Sequence, residues 1–232
     1  MKDKHNFTFS TSTLAIPLYF VLSLWIVYWF EVKNGYNFNT FGIYPRTLGG
    51  LKGILFSPFI HGDIKHLYHN SIPLFVLFFC LLYFYKRIAF KVFFYGVLLT
   101  GAFTWIIARP SFHIGASGII YLLFSFIFFS GIIRKNFRLV AVSLMIIFLY
   151  GSMVWYLLPV EEGISWEGHL SGFLVGLLFA FVFKSSGPQA YKYDWEKENY
   201  QPDAFDQHFD EDGNFVPGAV DDEESGENTP LR

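Results

Sequence analysis

Six stretches of this chain contain no Asp, Glu, Lys or Arg: those near Leu14 to Phe30, Leu67 to Tyr85, Val92 to Ala108, Gly115 to Ile133, Leu139 to Leu158 and Gly168 to Phe183. Each runs about 16 to 20 residues, close to the ~20 that a helix needs to cross the hydrocarbon core of a bilayer. Any one of them could be a buried helix of a soluble domain. Six in a chain of 232 residues, only 16% of them charged, leave too little polar surface to cover them in water. The pattern predicts an all-α membrane protein, a bundle of six transmembrane helices.

Charge sets the expected orientation. With six spans and both termini on one side, that side collects Lys2, Lys4, Lys86, Arg87, Lys91, Arg134, Lys135, Arg138 and Lys184. The other side holds Lys33, Arg46, Lys52, Lys65 and Arg109. Loops rich in basic residues stay cytoplasmic, so both termini are expected inside. No A-x-A cleavage pattern follows the first span, which is therefore expected to remain as an anchor. The lone cysteine, Cys80, excludes an intramolecular disulfide and reads as a packing residue.

The net charge of −2 conceals two opposed regions. Residues 1–184 carry 14 basic and 6 acidic side chains, hence +8; residues 185–232 carry 3 and 13, hence −10. The expected organisation is a short cytoplasmic N-terminus (1–13), a six-helix domain (14–184) and an acidic, largely disordered cytoplasmic tail (185–232). Asp210-Glu211-Asp212-Gly213-Asn214 lacks the spaced ligands and closing Glu of an EF-hand, so no metal is assigned to it.

Three polar residues stand at one depth. Ser117 lies 16 residues above Ile133, His169 14 above Phe183 and Asn70 15 above Tyr85. At 1.5 Å per residue these are all about 21 to 24 Å from the cytoplasmic boundary, beneath the outer surface of a ~30 Å core. His66 and Asn70, four apart, share one helix face, as do Ser117, Tyr121 and Ser125. His169, Gly172 and Gly176 form a stripe that lets the fourth and sixth spans approach closely.

A polar side chain inside a span is a site candidate by default. A serine hydroxyl becomes a nucleophile when a base takes its proton, and neutral histidine suits that role near pH 7. Ser117 and His169 supply the pair. No span interior contains an acid, and Asp63, Glu161, Glu162 and Glu167 all lie in outer loops or at span edges, so a dyad is expected rather than a triad. The Tyr121 ring offers a stacking surface for the imidazole. The Asn70 amide, the His66 ring and backbone N–H groups at the start of the fourth span offer donors to an oxyanion. His61, His69 and His113 read as loop or off-face residues, and Tyr44-Pro45-Arg46 as either an interfacial turn or a segment that contacts lipid or shapes the site.

At these residues the chain resembles the rhomboid family of intramembrane serine proteases. Over about residues 14 to 184 it carries in order Pro45-Arg46 in a long outer loop, H-x-x-x-N as His66 to Asn70, G-x-S-G as Gly115 to Gly118, and H-x-x-G-x-x-x-G as His169 to Gly176. The resemblance implies Ser117 as nucleophile, His169 as general base, His66 and Asn70 as oxyanion stabilisers, and Tyr121, Gly115 and Gly118 as supporting residues. It also implies cleavage of single-pass membrane proteins in the lipid bilayer near the outer end of their transmembrane segment, with no metal, cofactor or nucleic acid. Substrate entry would involve the fifth span and its outer loop, here Trp155, Tyr156 and Leu158 to Trp166.

Three positions depart from the family pattern: Ile64 where an aromatic residue is common, Ser71 where a larger apolar residue is usual, and Ser125 where glycine is frequent. Pro73 is expected to kink the second span. A bacterial cytoplasmic membrane is the expected location. Two other classes compete: a rhomboid-like protein that holds or escorts membrane clients without cutting them, and a transporter or channel. The second would need a polar path toward the cytoplasm, which the lower halves of the spans lack.

Overall fold

The computed structural model describes residues 9–149, 153–161 and 163–186, with short pieces at 199, 201, 205–210 and 212–216. It divides into two units, residues 1–190 and 191–232. The first unit consists of α1 (Thr11–Asn34), the single-turn α2 (Gly53–Phe56), α3 (Ile64–Phe84), α4 (Ala89–Ile107), α5 (Ser117–Ile133), α6 (Phe137–Leu149) and α7 (Trp166–Val182). Among the described residues there is no β-strand, only isolated bridges between Ile43 and His113 and between Phe209 and Phe215.

Helices α1, α3 and α4 are each long and apolar enough to cross a membrane. α5, α6 and α7 are apolar but shorter. In the fifth apolar stretch, expected to run to Leu158, the described residues form α6 as far as Leu149 and a 3₁₀ turn at Trp155–Leu157. Pro159 ends that turn: its ring bars the preceding residue from the helical region, and Leu158 is extended (φ −113°, ψ 159°). α3 is assigned as one unbroken helix across Pro73.

Helix ends follow local chemistry. Asp63 caps α3, its Oδ1 accepting from the His66 N–H at 2.8 Å, and Ser165 caps α7, its Oγ accepting from the Gly168 N–H at 3.3 Å. α1 closes on Gly35 at φ +66°, a left-handed C-terminal position that glycine enters without a Cβ penalty.

α5 is the central helix. Its side chains from Ile119 to Ile127 are all buried, whereas α1 and α4 turn much of their apolar surface outward. α5 packs most extensively on α7, and the reason is a near-contact of backbones. A Cβ on Gly172 would sit 2.0 Å from the Gly118 carbonyl oxygen, and one on Gly176 2.3 Å from that of Leu122. Ser125 donates from its hydroxyl to the Phe173 carbonyl at 2.7 Å, so this departure from the family pattern adds an interhelical hydrogen bond at the same seam. Ser71 works similarly elsewhere, accepting from the Trp25 indole N–H at 2.9 Å to join α1 to α3.

At the far end of the bundle, buried Arg134 closes three helices. Its guanidinium donates to the Ser130 hydroxyl and to the carbonyls of Phe183 and Ser186 and lies over the Tyr85 ring. In the second unit, a 3₁₀ turn at Asp206–His208 precedes a tight turn. There the Asp210 carboxylate accepts N–H bonds from Asp212 and Asn214, which engages it in local structure. The Asp221-to-Glu224 run, Glu211 in the former calcium-loop candidate, Lys2 and Lys4 near the N-terminus, and Glu162 lie outside the described residues.

The α5–α7 seam is open to a direct check. Gly172→Ala and Gly176→Ala are each expected to destabilise the protein by about 1–3 kcal/mol through overpacking. Gly49→Ala, with nothing within 4 Å of the added carbon, should leave the thermal midpoint unchanged.

Candidate active site

Ser117 is the first residue of α5, entered through Gly115 at φ +102°. That conformation and the space both require glycine: a Cβ there would lie 2.7 Å from Cε1 and Nε2 of the His66 ring and 3.6 Å from Asn70 Nδ2. The same measurements place the two candidate oxyanion donors against the loop that delivers Ser117. Asn70 is buried, and its Nδ2 has no hydrogen-bond partner among the described residues. A Cβ on Gly118 would lie 3.2 Å from the Thr100 methyl carbon and 3.3 Å from the Gly168 carbonyl oxygen, tighter than ordinary contact, so α5 runs close to α4 and α7 here.

His169 comes from the first turn of α7 and is buried. Its Nε2 is 2.8 Å from Ser117 Oγ and its Nδ1 is 2.8 Å from the Tyr156 carbonyl oxygen. A carbonyl can only accept, so Nδ1 carries the proton and Nε2 presents its lone pair to the serine hydroxyl. The ring stacks on Tyr121 at a centroid distance of 4.4 Å and 19° between planes. The Tyr121 hydroxyl in turn donates to the Met153 carbonyl. Such an arrangement can move a proton from Ser117 to His169 and leave an alkoxide beside buried N–H donors.

Three of the four acids considered lie among the described residues, each with its own partner. Asp63 is spent on the α3 cap, and the His66 N–H it accepts holds its carboxyl below the usual range. Glu161 is engaged by the Tyr156 hydroxyl. Glu167 is 2% exposed and faces the other way: it accepts from the Arg109 N–H at 3.2 Å and pairs with the Arg109 guanidinium at 3.7 Å.

The outer loops form a polar frame around this centre. Ile43 and His113 exchange backbone hydrogen bonds at 3.0 and 2.9 Å, and the Gly115 N–H donates to the Ser57 carbonyl at 2.9 Å. Arg46 donates to the Ile106 and Ala108 carbonyls at 2.9 and 2.8 Å, pinning the first loop onto the end of α4. His113 bridges further, with Nε2 3.0 Å from the Arg109 carbonyl and Nδ1 2.6 Å from Ser165 Oγ. Burial lowers its pKa. A small cavity of about 40 Å³ beside Ser117 is lined by Ser57, Thr100, Thr104 and Ser165 among others, and it is large enough for a water molecule.

Sequence reasoning set aside His61 and His113 as loop residues, and both are buried in this frame; His69 is exposed as expected. The His61 ring packs edge-on against His66 at 5.0 Å, and neither of its nitrogens has a partner among the described residues. Their signal in the sequence was proximity to the motifs: His61 stands five residues before His66, and His113 four before Ser117. The Tyr156 carbonyl had no signal at all, since every residue has one.

A family model described as the rhomboid domain matches residues 49–186, more than half of the chain. The chain belongs to the rhomboid family. Uncharacterized proteins of Mycobacterium bovis and Mycobacterium tuberculosis are each 34% identical to it over 179 residues, covering 72% of this chain and 74% of the relative. A further uncharacterized protein, of Mycobacterium leprae, is 29% identical over 182 residues, covering 72% and 70%. The rhomboid domain and the span-length helices indicate an integral membrane protein, with relatives in bacteria. Rhomboids are normally intramembrane serine proteases, and the family includes inactive members.

Burial next to His66 lowers the His61 pKa from 6.5 to about 3, and the nearby Phe59 carbonyl offsets only part of that. Between pH 6.5 and 3 the unfolded chain binds a proton that folded His61 refuses. The stability is therefore complete above pH 6.5 and falls as pH drops through this window, by up to about 1.4 kcal/mol per pH unit. Unfolding free energies measured from pH 6.5 to 5 should fall more shallowly in His61→Asn than in the parent protein. Equal slopes would mean that folded His61 titrates normally.

Proposed function

We propose that this rhomboid is an active intramembrane serine endopeptidase that cuts single-pass membrane proteins near the outer face of a bacterial cytoplasmic membrane. In this reading α1 and α3 to α7 are its six spans, residues 14–184 form the protease domain, and both termini are cytoplasmic. The observation that carries the reading is the 2.8 Å contact between Ser117 Oγ and His169 Nε2, in the one tautomer that lets the histidine accept a proton. A fold retained only for binding clients would have no need of that polarity at a half-buried serine.

Ser117 Oγ attacks the scissile carbonyl as His169 Nε2 takes the hydroxyl proton, and the C–N bond then breaks as the same nitrogen protonates the leaving amine. A water, deprotonated by His169, later releases the acyl group from Ser117. The oxyanion formed in each step is stabilised by the Asn70 amide, the His66 ring and the backbone N–H at the start of α5, which an N-terminal helix position leaves free. Asn70 supports the reading in a particular way. A buried amide without a partner costs about 1–3 kcal/mol, and a developing negative charge removes that cost only in the transition state, which is where a catalyst needs the gain. The Arg109–Glu167 and His113–Ser165 contacts act at one remove, by fixing the start of α7 and hence the position of His169.

A fluorophosphonate probe on detergent-purified protein tests this. Labelling of the parent protein, with none in Ser117→Ala or His169→Ala, is expected, and no labelling of any would favour the escort reading. With a membrane-anchored substrate, Asn70→Ala should reduce kcat by about 10²–10³-fold while the thermal midpoint stays near that of the parent.

A further inference from the structure

The stacked rings at the site share an unusual neighbour. The outer polar atom of each is bonded to the same short segment between α6 and α7: His169 Nδ1 donates to the Tyr156 carbonyl at 2.8 Å, and the Tyr121 hydroxyl donates to the Met153 carbonyl. These two carbonyls are three residues apart on a single turn. Met153 is buried and Tyr156 and Leu157 pack partly into the core, whereas Val154 and Trp155 between them are exposed.

The segment is secured differently from the rest of the site. α5 and α7 are locked by backbone packing at Gly172 and Gly176. Among the described residues, 153–158 have one 3₁₀ turn, in which the Leu157 N–H donates to the Val154 carbonyl at 3.4 Å and the Leu158 N–H to the Trp155 carbonyl at 3.0 Å. A single 3₁₀ turn opens at lower cost than a packed helix. Lifting it would not unwind α5 or α7, but it would take away the acceptor that fixes the histidine's tautomer.

We infer that the Met153–Leu157 segment is a detachable third member of the Ser117–His169 pair. Its Tyr156 carbonyl does the orienting that a carboxylate does in a triad, and the base is competent only while the segment is seated. The inference rests on the protease reading and deepens it. With the segment seated, Nδ1 holds the proton and Nε2 can accept one from Ser117. With it lifted, Nδ1 loses this acceptor, the proton is free to reside on either nitrogen, and the share of molecules able to deprotonate Ser117 falls. A substrate helix that lifts the segment to enter therefore meets an idle base, and acylation follows only when the segment reseats over the bound chain. Tyr156 is a positioning residue here, and it acts through its main chain.

The test replaces Leu157 with its α-hydroxy analogue in the full-length protein, turning the 156–157 amide into an ester and making the Tyr156 carbonyl a weaker acceptor. The matched control places the same change at Leu158, which weakens the Leu157 carbonyl in the same turn. Two readouts are taken: the rate of fluorophosphonate labelling at Ser117, and the ¹⁵N chemical shifts of His169, which report its tautomer without any turnover. The expected result is a mixed tautomer and labelling slowed on the order of tenfold for the 156–157 ester, with both readouts near parental for the control. Equal effects of the two esters would mean a merely structural turn and would overturn the inference. So would an unchanged Nδ1–H tautomer in the 156–157 ester. Failure of the protease reading looks different: the parent protein would show the Nδ1–H tautomer and its loss in the ester, yet no labelling at Ser117.

Discussion

Lipid offers helices little hydrophobic reason to associate, so the energy of a membrane bundle comes from how closely backbones fit. In this protein that fit is concentrated where α7 lays Gly172 and Gly176 against the carbonyls of Gly118 and Leu122. His169 is one turn above Gly172 and Ser117 immediately precedes Gly118. The distance between the two reactive side chains is thus a by-product of this close backbone packing. Ser125 extends the same seam by a hydrogen bond to Phe173, which glycine at that position could not make.

Much of the arrangement could be read from residue spacing. A span is defined by its lack of charge, and a helix face by intervals of three and four, so α3, α5 and α7 and the facing of His66 with Asn70 and of Ser117 with Tyr121 followed directly. Apolar composition does not register where a helix starts or stops. Pro159 ends the 3₁₀ turn after α6, and Gly115 and Ser165 set sharp starts for α5 and α7.

What spacing could not supply were contacts made by main-chain atoms and by residues far apart in the chain. The acceptor behind His169 is a carbonyl 13 residues upstream, and Glu167, the acid nearest to it in sequence, is turned away toward Arg109. His113 reaches Ser165 across 52 residues. Such bonds are dictated by where loops cross, and a loop's path depends on the completed bundle. The polar substitutions at Ser71 and Ser125 were legible as departures, yet their partners, Trp25 and the Phe173 carbonyl, emerged only with the packing of neighbouring helices.

Arg134 adds a mechanical consequence. The cation that marks one end of α5 in the charge pattern is folded inward, with Ser130, Phe183 and Ser186 as hydrogen-bond partners and Tyr85 beneath it. α5, the end of α7 and the end of α3 are therefore riveted at that end, like tongs joined at the base. Shape change in these three helices is then cheapest at the opposite end. One residue thereby unites two separable properties. A lysine would preserve the positive charge at this end of α5, but it lacks the planar fork that reaches several oxygens at once, so the charge pattern and the stiffness of the base could be uncoupled by a change that leaves net charge untouched.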